Sequence, residues 1–97
     1  MYSLEYLPSA DLDILEADTY LCEHSLPAAD KFMEAIEEQE SLLIANPFMY
    51  PVYEARTYFR LMPLPYRYLC FYHVDESAKI ITIHRILRGM RDILNIL

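Results

Sequence analysis

Arginine recurs through the last third of the chain as Arg60, Arg67, Arg85, Arg88 and Arg91, spread along two apolar, β-rich runs and the segment that follows them. A guanidinium on a strand is costly unless it meets water, pairs with a carboxylate, or stands ready for an anionic partner. Several of them on neighbouring strands point to a working surface. For Arg60, Arg67 and Arg85 the alternative is pairing with acids elsewhere in the chain. His73 and His84 alternate with apolar neighbours and read first as satisfied sheet histidines, while His24 stands at a helix end. No third ligand falls at helical or hairpin spacing, so no metal site is expected. No glycine-rich phosphate loop and no Ser/His/Asp pattern is present, and no cofactor is expected. The nine tyrosines lie mostly on β-rich runs, where they read as strand formers and packing residues rather than as base-stacking platforms.

The charge is divided. The formal net charge is −7, but residues 1–55 hold 12 acids and one base (Lys31), whereas residues 56–97 hold 3 acids and 7 bases. The first part thus stands at −11 and the second at +4. A uniformly acidic chain would repel nucleic acid, but a dipolar one can still present a positive face. With only two lysines it lacks the usual means of non-specific phosphate binding. Ninety-seven residues make one domain, residues 1–97, with a modest core. No apolar run approaches the roughly 18–20 residues of a membrane span, and the first residues lack the basic start and apolar stretch of a signal peptide. Cys22 and Cys70 show no metal-ligand spacing and read as free thiols of a reducing cytoplasm.

These residues must be positioned by a small set of elements. Residues 2–7 read as a strand closed by Pro8-Ser9, with Ser9 as N-cap of a helix carrying Asp11 in its first turn. Ala10, Ile14, Ala17 and Leu21 recur at spacings of 4, 3 and 4 along that helix, to about Glu23. Pro27 suits the first turn of a second helix, whose stripe is Ala29, Phe32, Ile36 and Leu43 with Glu34, Glu37, Glu38 and Glu40 around the other sides. Asn46-Pro47 ends it. A connection over 48–52 leads to strands at about 53–62, 66–74 and 79–86. Pro63 and Pro65 bracket the first turn and Asp75-Glu76-Ser77-Ala78 the second. Strand 66–74 presents Tyr66, Tyr68, Cys70 and Tyr72 on one face and Arg67, Leu69, Phe71 and His73 on the other, both largely apolar. Gly89 marks the exit from the last strand, and Asp92 to Leu97 read as a short terminal helix. The fold class is α+β, ordered β-α-α-β-β-β, with an acidic helical hairpin covering an antiparallel sheet.

The residues in this order resemble one family. Tyr6-Leu7-Pro8-Ser9-Ala10, Asp13-Ile14 and Tyr20-Leu21 resemble the opening strand and first helix of the ParE/RelE superfamily of bacterial toxins. Ala29, Phe32, Ile36, Leu43 and Asn46-Pro47 look like its second helix and stop. Tyr58, Arg60-Leu61, Tyr66-Arg67-Tyr68, Tyr72, Val74-Asp75-Glu76, Ile81, Ile83, Ile86 and Arg91-Asp92 look like its sheet and tail. The resemblance implies a toxin neutralised by a cognate antitoxin in a hetero-oligomeric complex. It also implies one of two activities: poisoning of DNA gyrase without a catalytic residue, as in ParE-like members, or ribosome-dependent mRNA cleavage, as in RelE-like members.

Cleavage of RNA needs a base for the 2′-hydroxyl, a positive group for the phosphate and an acid for the leaving oxygen. On the nuclease reading, Arg60 and Arg85 match the family's strand arginines, and Glu54 or His84 would carry protons. No Tyr or His follows His84, where the family's nucleases keep one, and a guanidinium is a poor proton carrier. Arg88-Gly89-Met90-Arg91-Asp92 resembles instead the closing element of ParE-like members, with Arg88 where many have His. The expected contact residues for target or antitoxin are Arg60, Arg67, Arg85, Arg88 and Arg91. The gyrase-directed reading leads. The mRNA interferase and a binding module that kept the fold without the activity stand as alternatives, so whether the chain is an enzyme stays open.

Overall fold

The computed structural model describes residues 1–89 and 96–97. Strand β1 (Ser3–Tyr6) leads directly into helix α1 (Pro8–His24), and α2 (Leu26–Ala45) follows after a single residue, Ser25. Beyond a connection at 46–51 come β2 (Val52–Tyr53), β3 (Arg56–Leu64), a 3-10 turn (Pro65–Arg67), β4 (Tyr68–Asp75) and β5 (Ile80–Arg88). The five strands form one sheet in the order β1-β5-β4-β3-β2. β2 to β5 run antiparallel, but β1 pairs parallel with β5, Ser3 opposite Ile80 and Tyr6 opposite Ile83. The sheet is therefore mixed rather than wholly antiparallel. A strand that returns through two helices enters beside β5 in the same direction, as a crossover connection permits.

The helical hairpin is held by its own sequence. Pro8 occupies the first turn of α1, with Leu7, not Ser9, at the N-cap position. Ser9 lies inside the helix and its hydroxyl donates to the His84 carbonyl at 2.9 Å. Ser25 ends α1 through its N–H to Leu21 and caps α2 by accepting from the Ala28 N–H at 3.3 Å. One residue thus performs both tasks, which keeps the helices antiparallel and close. Their buried positions are Ala10, Asp13, Ala17 and Leu21 on α1 and Ala29, Phe32, Ile36 and Leu43 on α2. These pack onto Met62, Leu64, Tyr68, Cys70, Tyr72, Ile81, Ile83 and Ile86 of the sheet. At roughly 1.5–3 kcal/mol for each large apolar side chain buried, this layer dominates the stability of the fold.

The opposite face carries a second, smaller core around Phe59 and Phe71, flanked by Tyr53, Leu61, Leu69 and Leu87. The two faces read from β4 hold for Tyr68, Cys70 and Tyr72 against Leu69 and Phe71. Tyr66 and Arg67 leave the strand and form the turn with φ of 62° and 66°. Pro63 does not bracket that turn; it stands in β3 opposite Leu69. Two left-handed non-glycine residues in succession are a strained arrangement. The strand expected at 53–62 is divided into β2 and β3 by a turn at Glu54-Ala55. The helix expected over 92–97 lies mostly outside the described residues.

Candidate functional site

Strand β5 contains the feature that organises the site. Phe71 faces Arg85 while Tyr72 faces Ile83, so His84 is an extra residue and β5 bulges there. A bulge of this kind bends the strand and re-aims side chains. It keeps Ile83 and Ile86 both in the helix-side core. β1 ends at Tyr6, leaving the edge of β5 beyond Ile83 to be covered by α1. The Leu7 N–H donates to the Ile83 carbonyl at 3.0 Å, the Ser9 hydroxyl to His84, and the Ile86 N–H donates to Asp13 Oδ2 at 2.9 Å. The backbone N–H of the N-cap residue and two side chains of α1 thus continue the pairing that β1 abandons.

Asp13 also takes Arg85. The Arg85 Nε donates to Oδ2 at 2.7 Å and its terminal NH2 nitrogen to Oδ1 at 2.8 Å, a two-pronged ion pair. These bonds to Asp13 raise the Arg85 guanidinium above its ordinary range. Arg85 is thereby committed within the chain, to an acid of the helical hairpin. The sequence carried a signal for this: Asp13 falls three residues after Ala10 and four before Ala17, on the buried stripe, and a buried carboxylate requires a donor. Ile14, which the spacing favoured, is only half buried.

The other candidates fall into separate groups. Arg60, opposite Tyr72 on β3, donates through one terminal nitrogen to the Tyr50 carbonyl at 2.6 Å and lies 5.0 Å over the Phe48 ring. Glu54 is exposed in the turn before β3. His84 sits edge-on to Phe59 at 5.0 Å and to Tyr58 at 5.6 Å. Burial and then the proximity of His73 push its pKa down. His73 stacks on Tyr58 at 3.8 Å, and its Nδ1 is 2.8 Å from the Tyr58 carbonyl. That carbonyl can only accept, so the geometry assigns the proton to Nδ1. The backbones of Arg60 and Arg85 are separated by β4, about 10 Å across two strand spacings. Nothing converges these groups on one phosphate.

Arg67 and Arg88 meet at the far end of the sheet. Arg88 is opposite Tyr68, and the Gly89 N–H donates to the Arg67 carbonyl at 3.0 Å. Gly89 has φ of 76°, a left-handed conformation in which glycine is unstrained. Arg88 lies 4.9 Å over the Tyr20 ring and donates to its hydroxyl at 3.1 Å; Tyr20 in turn packs on His24 at 4.3 Å. Beside them α1 and the end of β5 enclose an open cleft of about 410 Å³, lined by Asp13, Glu16, Tyr20, Arg85 and Arg88. Four residues separate the Arg60 row from the Arg88 row, roughly 13 Å along the strands. Arg91 lies outside the described residues.

The family model of the ParE toxin of type II toxin–antitoxin systems, parDE, matches residues 4–93. The chain belongs to the ParE toxin family. Among solved structures it is similar to a protein of the chromosomal ParDE toxin–antitoxin system from P. aeruginosa, at 26% identity and a TM-score of 0.71, covering 93% of this chain and 98% of that one. YafQ from E. coli strain BL21(DE3) shares the fold at 17% identity and a TM-score of 0.64, covering 97% and 98%. No curated protein sequence matches. Membership of a toxin–antitoxin family implies an antitoxin partner for this ParE-family chain. No helix among the described residues is long and apolar enough to cross a membrane.

Proposed function

We propose that this ParE-family chain is a cytoplasmic toxin, held inactive in a complex with its cognate antitoxin, that acts on DNA gyrase by occupying it rather than by cutting RNA. The observation that carries this reading is the Asp13–Arg85 ion pair. It withdraws one of the two guanidiniums that a nuclease would place on a phosphate, in a chain with no Tyr or His after His84. Occupancy needs no proton carrier. It needs a shaped surface with a few exposed cations and aromatic rings. Arg67, Arg88 and Tyr20 supply one at the end of the sheet, and Arg91 follows them closely in sequence. Exposed leucines on the hairpin, Leu12, Leu15, Leu26 and Leu42, suit an antitoxin segment that covers apolar surface.

The test is direct. Purified protein is added to gyrase with supercoiling and cleavage-complex readouts, and separately to ribosomes translating a defined mRNA. Inhibited supercoiling with intact mRNA is the expected result. Cut mRNA with normal supercoiling would establish the interferase instead, and neither effect would identify a binding module without toxicity.

A further inference from the structure

The end of the sheet opposite Arg67 and Arg88 carries a second cationic surface, built from segments far apart in sequence. Lys79 Nζ lies 5.0 Å over the Tyr2 ring, Tyr2 meets Phe48 edge-to-face at 6.3 Å, and Arg60 lies 5.0 Å over Phe48. Two cations and two rings thus join in one ladder across the residue before β1, the α2–β2 connection, β3 and the β4–β5 turn. Arg60 uses one nitrogen on the Tyr50 carbonyl, and its remaining N–H donors meet no acceptor among the described residues. Lys79 holds φ of 60°, where a glycine would be unstrained. The ladder adjoins a cleft of about 200 Å³ walled by Phe48, Val52, Tyr58 and His73, of which Val52 is 43% and Tyr58 54% exposed.

We infer that this ladder and cleft receive an acidic segment of the antitoxin, its carboxylates meeting Lys79 and Arg60 and an apolar side chain entering the cleft. The inference rests on the antitoxin-neutralised toxin of the preceding section and adds where the acidic part of the partner docks. The two ring-stacked cations call for carboxylates, and two observations favour a protein segment over a nucleic acid. The cleft has the size of one large side chain, and aromatic rings with arginine are the composition of protein-binding hot spots.

The experiment uses the toxin co-expressed with the product of its adjoining gene and purified as the complex, then separated and titrated back by calorimetry at two salt concentrations. Lys79→Glu and Val52→Asp alter exposed ladder and cleft positions. Lys31→Glu makes the same charge change on α2, about 20 Å from its C-terminal end at 1.5 Å per residue. The expected result is that Lys79→Glu and Val52→Asp each weaken binding by about tenfold or more, and that Lys79→Glu flattens the salt dependence, while Lys31→Glu stays within about twofold. Tyr58→Ala replaces either variant whose melting midpoint shows that it no longer folds. Binding within twofold of the unaltered toxin for the ladder and cleft variants overturns the inference and leaves the antitoxin reading intact. Equal weakening by Lys31→Glu overturns it as well, since the effect is then general charge. Failure of the unaltered toxin to bind overturns both.

Discussion

Replacing Asp13 with alanine is expected to cost about 2–4 kcal/mol, more than any other single polar change on α1. The figure follows from what the carboxylate does. It accepts the Ile86 N–H at the bulge and two bonds from Arg85. Losing the first leaves a buried backbone donor without a partner, about 1–3 kcal/mol. Losing the second strands a guanidinium, which in a fully buried pair costs about 3–5 kcal/mol. The Arg85 side chain, however, is 26% exposed against 6% for Asp13, so it can turn to water and the added cost falls to about 1 kcal/mol. For a chain of this length the sum lowers the melting midpoint on the order of 10–25 °C. Asp13→Asn keeps one carbonyl oxygen for Ile86 and is expected to lose only about 1–2 kcal/mol. Urea unfolding of the two variants, of Arg85→Ala and of the double variant gives the energies. Amide exchange at Ile86 separates the contributions, quickening in Asp13→Ala and staying slow in Asp13→Asn. A loss below about 0.5 kcal/mol for Asp13→Ala, or Asp13→Ala and Arg85→Ala adding within about 0.3–0.5 kcal/mol, would refute the reasoning.

Three further outcomes follow from the same geometry. Burial pushes the Tyr72 hydroxyl up to about 12, against a smaller lowering by Arg60, and burial followed by Glu40 raises Tyr6 as well. A raised native value means their stabilisation is whole below the unfolded value of about 10 and is lost as pH climbs beyond it. Urea midpoints should therefore fall above pH 10 while absorbance at 295 nm shows tyrosines that ionise only on unfolding; simultaneous ionisation of all nine in the folded protein would sink this. The lowered pKa of His84 has the opposite sign: its contribution is whole above about pH 6.5 and shrinks as pH falls below it. An NMR titration placing His84 at or above 6.5 contradicts that, and His73→Gln should move it upward. Finally, a thiol reagent should label exposed Cys22 at once and buried Cys70 only in denaturant, since burial also raises the Cys70 thiol. Equal labelling rates in the folded protein would show that the helical layer opens readily.

The linear order of residues determined a good deal by itself. The 3.6-residue stripes placed both helices, the alternation along β4 assigned both faces, and the split of charge placed acids on the hairpin and cations in the β-rich part that follows it. Each of these is a local pattern, set by the geometry of one element. The tertiary structure alone decided the rest. Asp13 and Arg85 are 72 residues apart, and only the packing of α1 across β5, beside the residue where the pairing with β4 slips, brings that carboxylate to that arginine. The parallel entry of β1, the meeting of Lys79, Tyr2, Phe48 and Arg60, and the separation of Arg60 from Arg88 likewise depend on strand register. Register belongs to the pairing of segments, and an arginine's spacing along the chain cannot say which neighbour a slipped pair will bring to it.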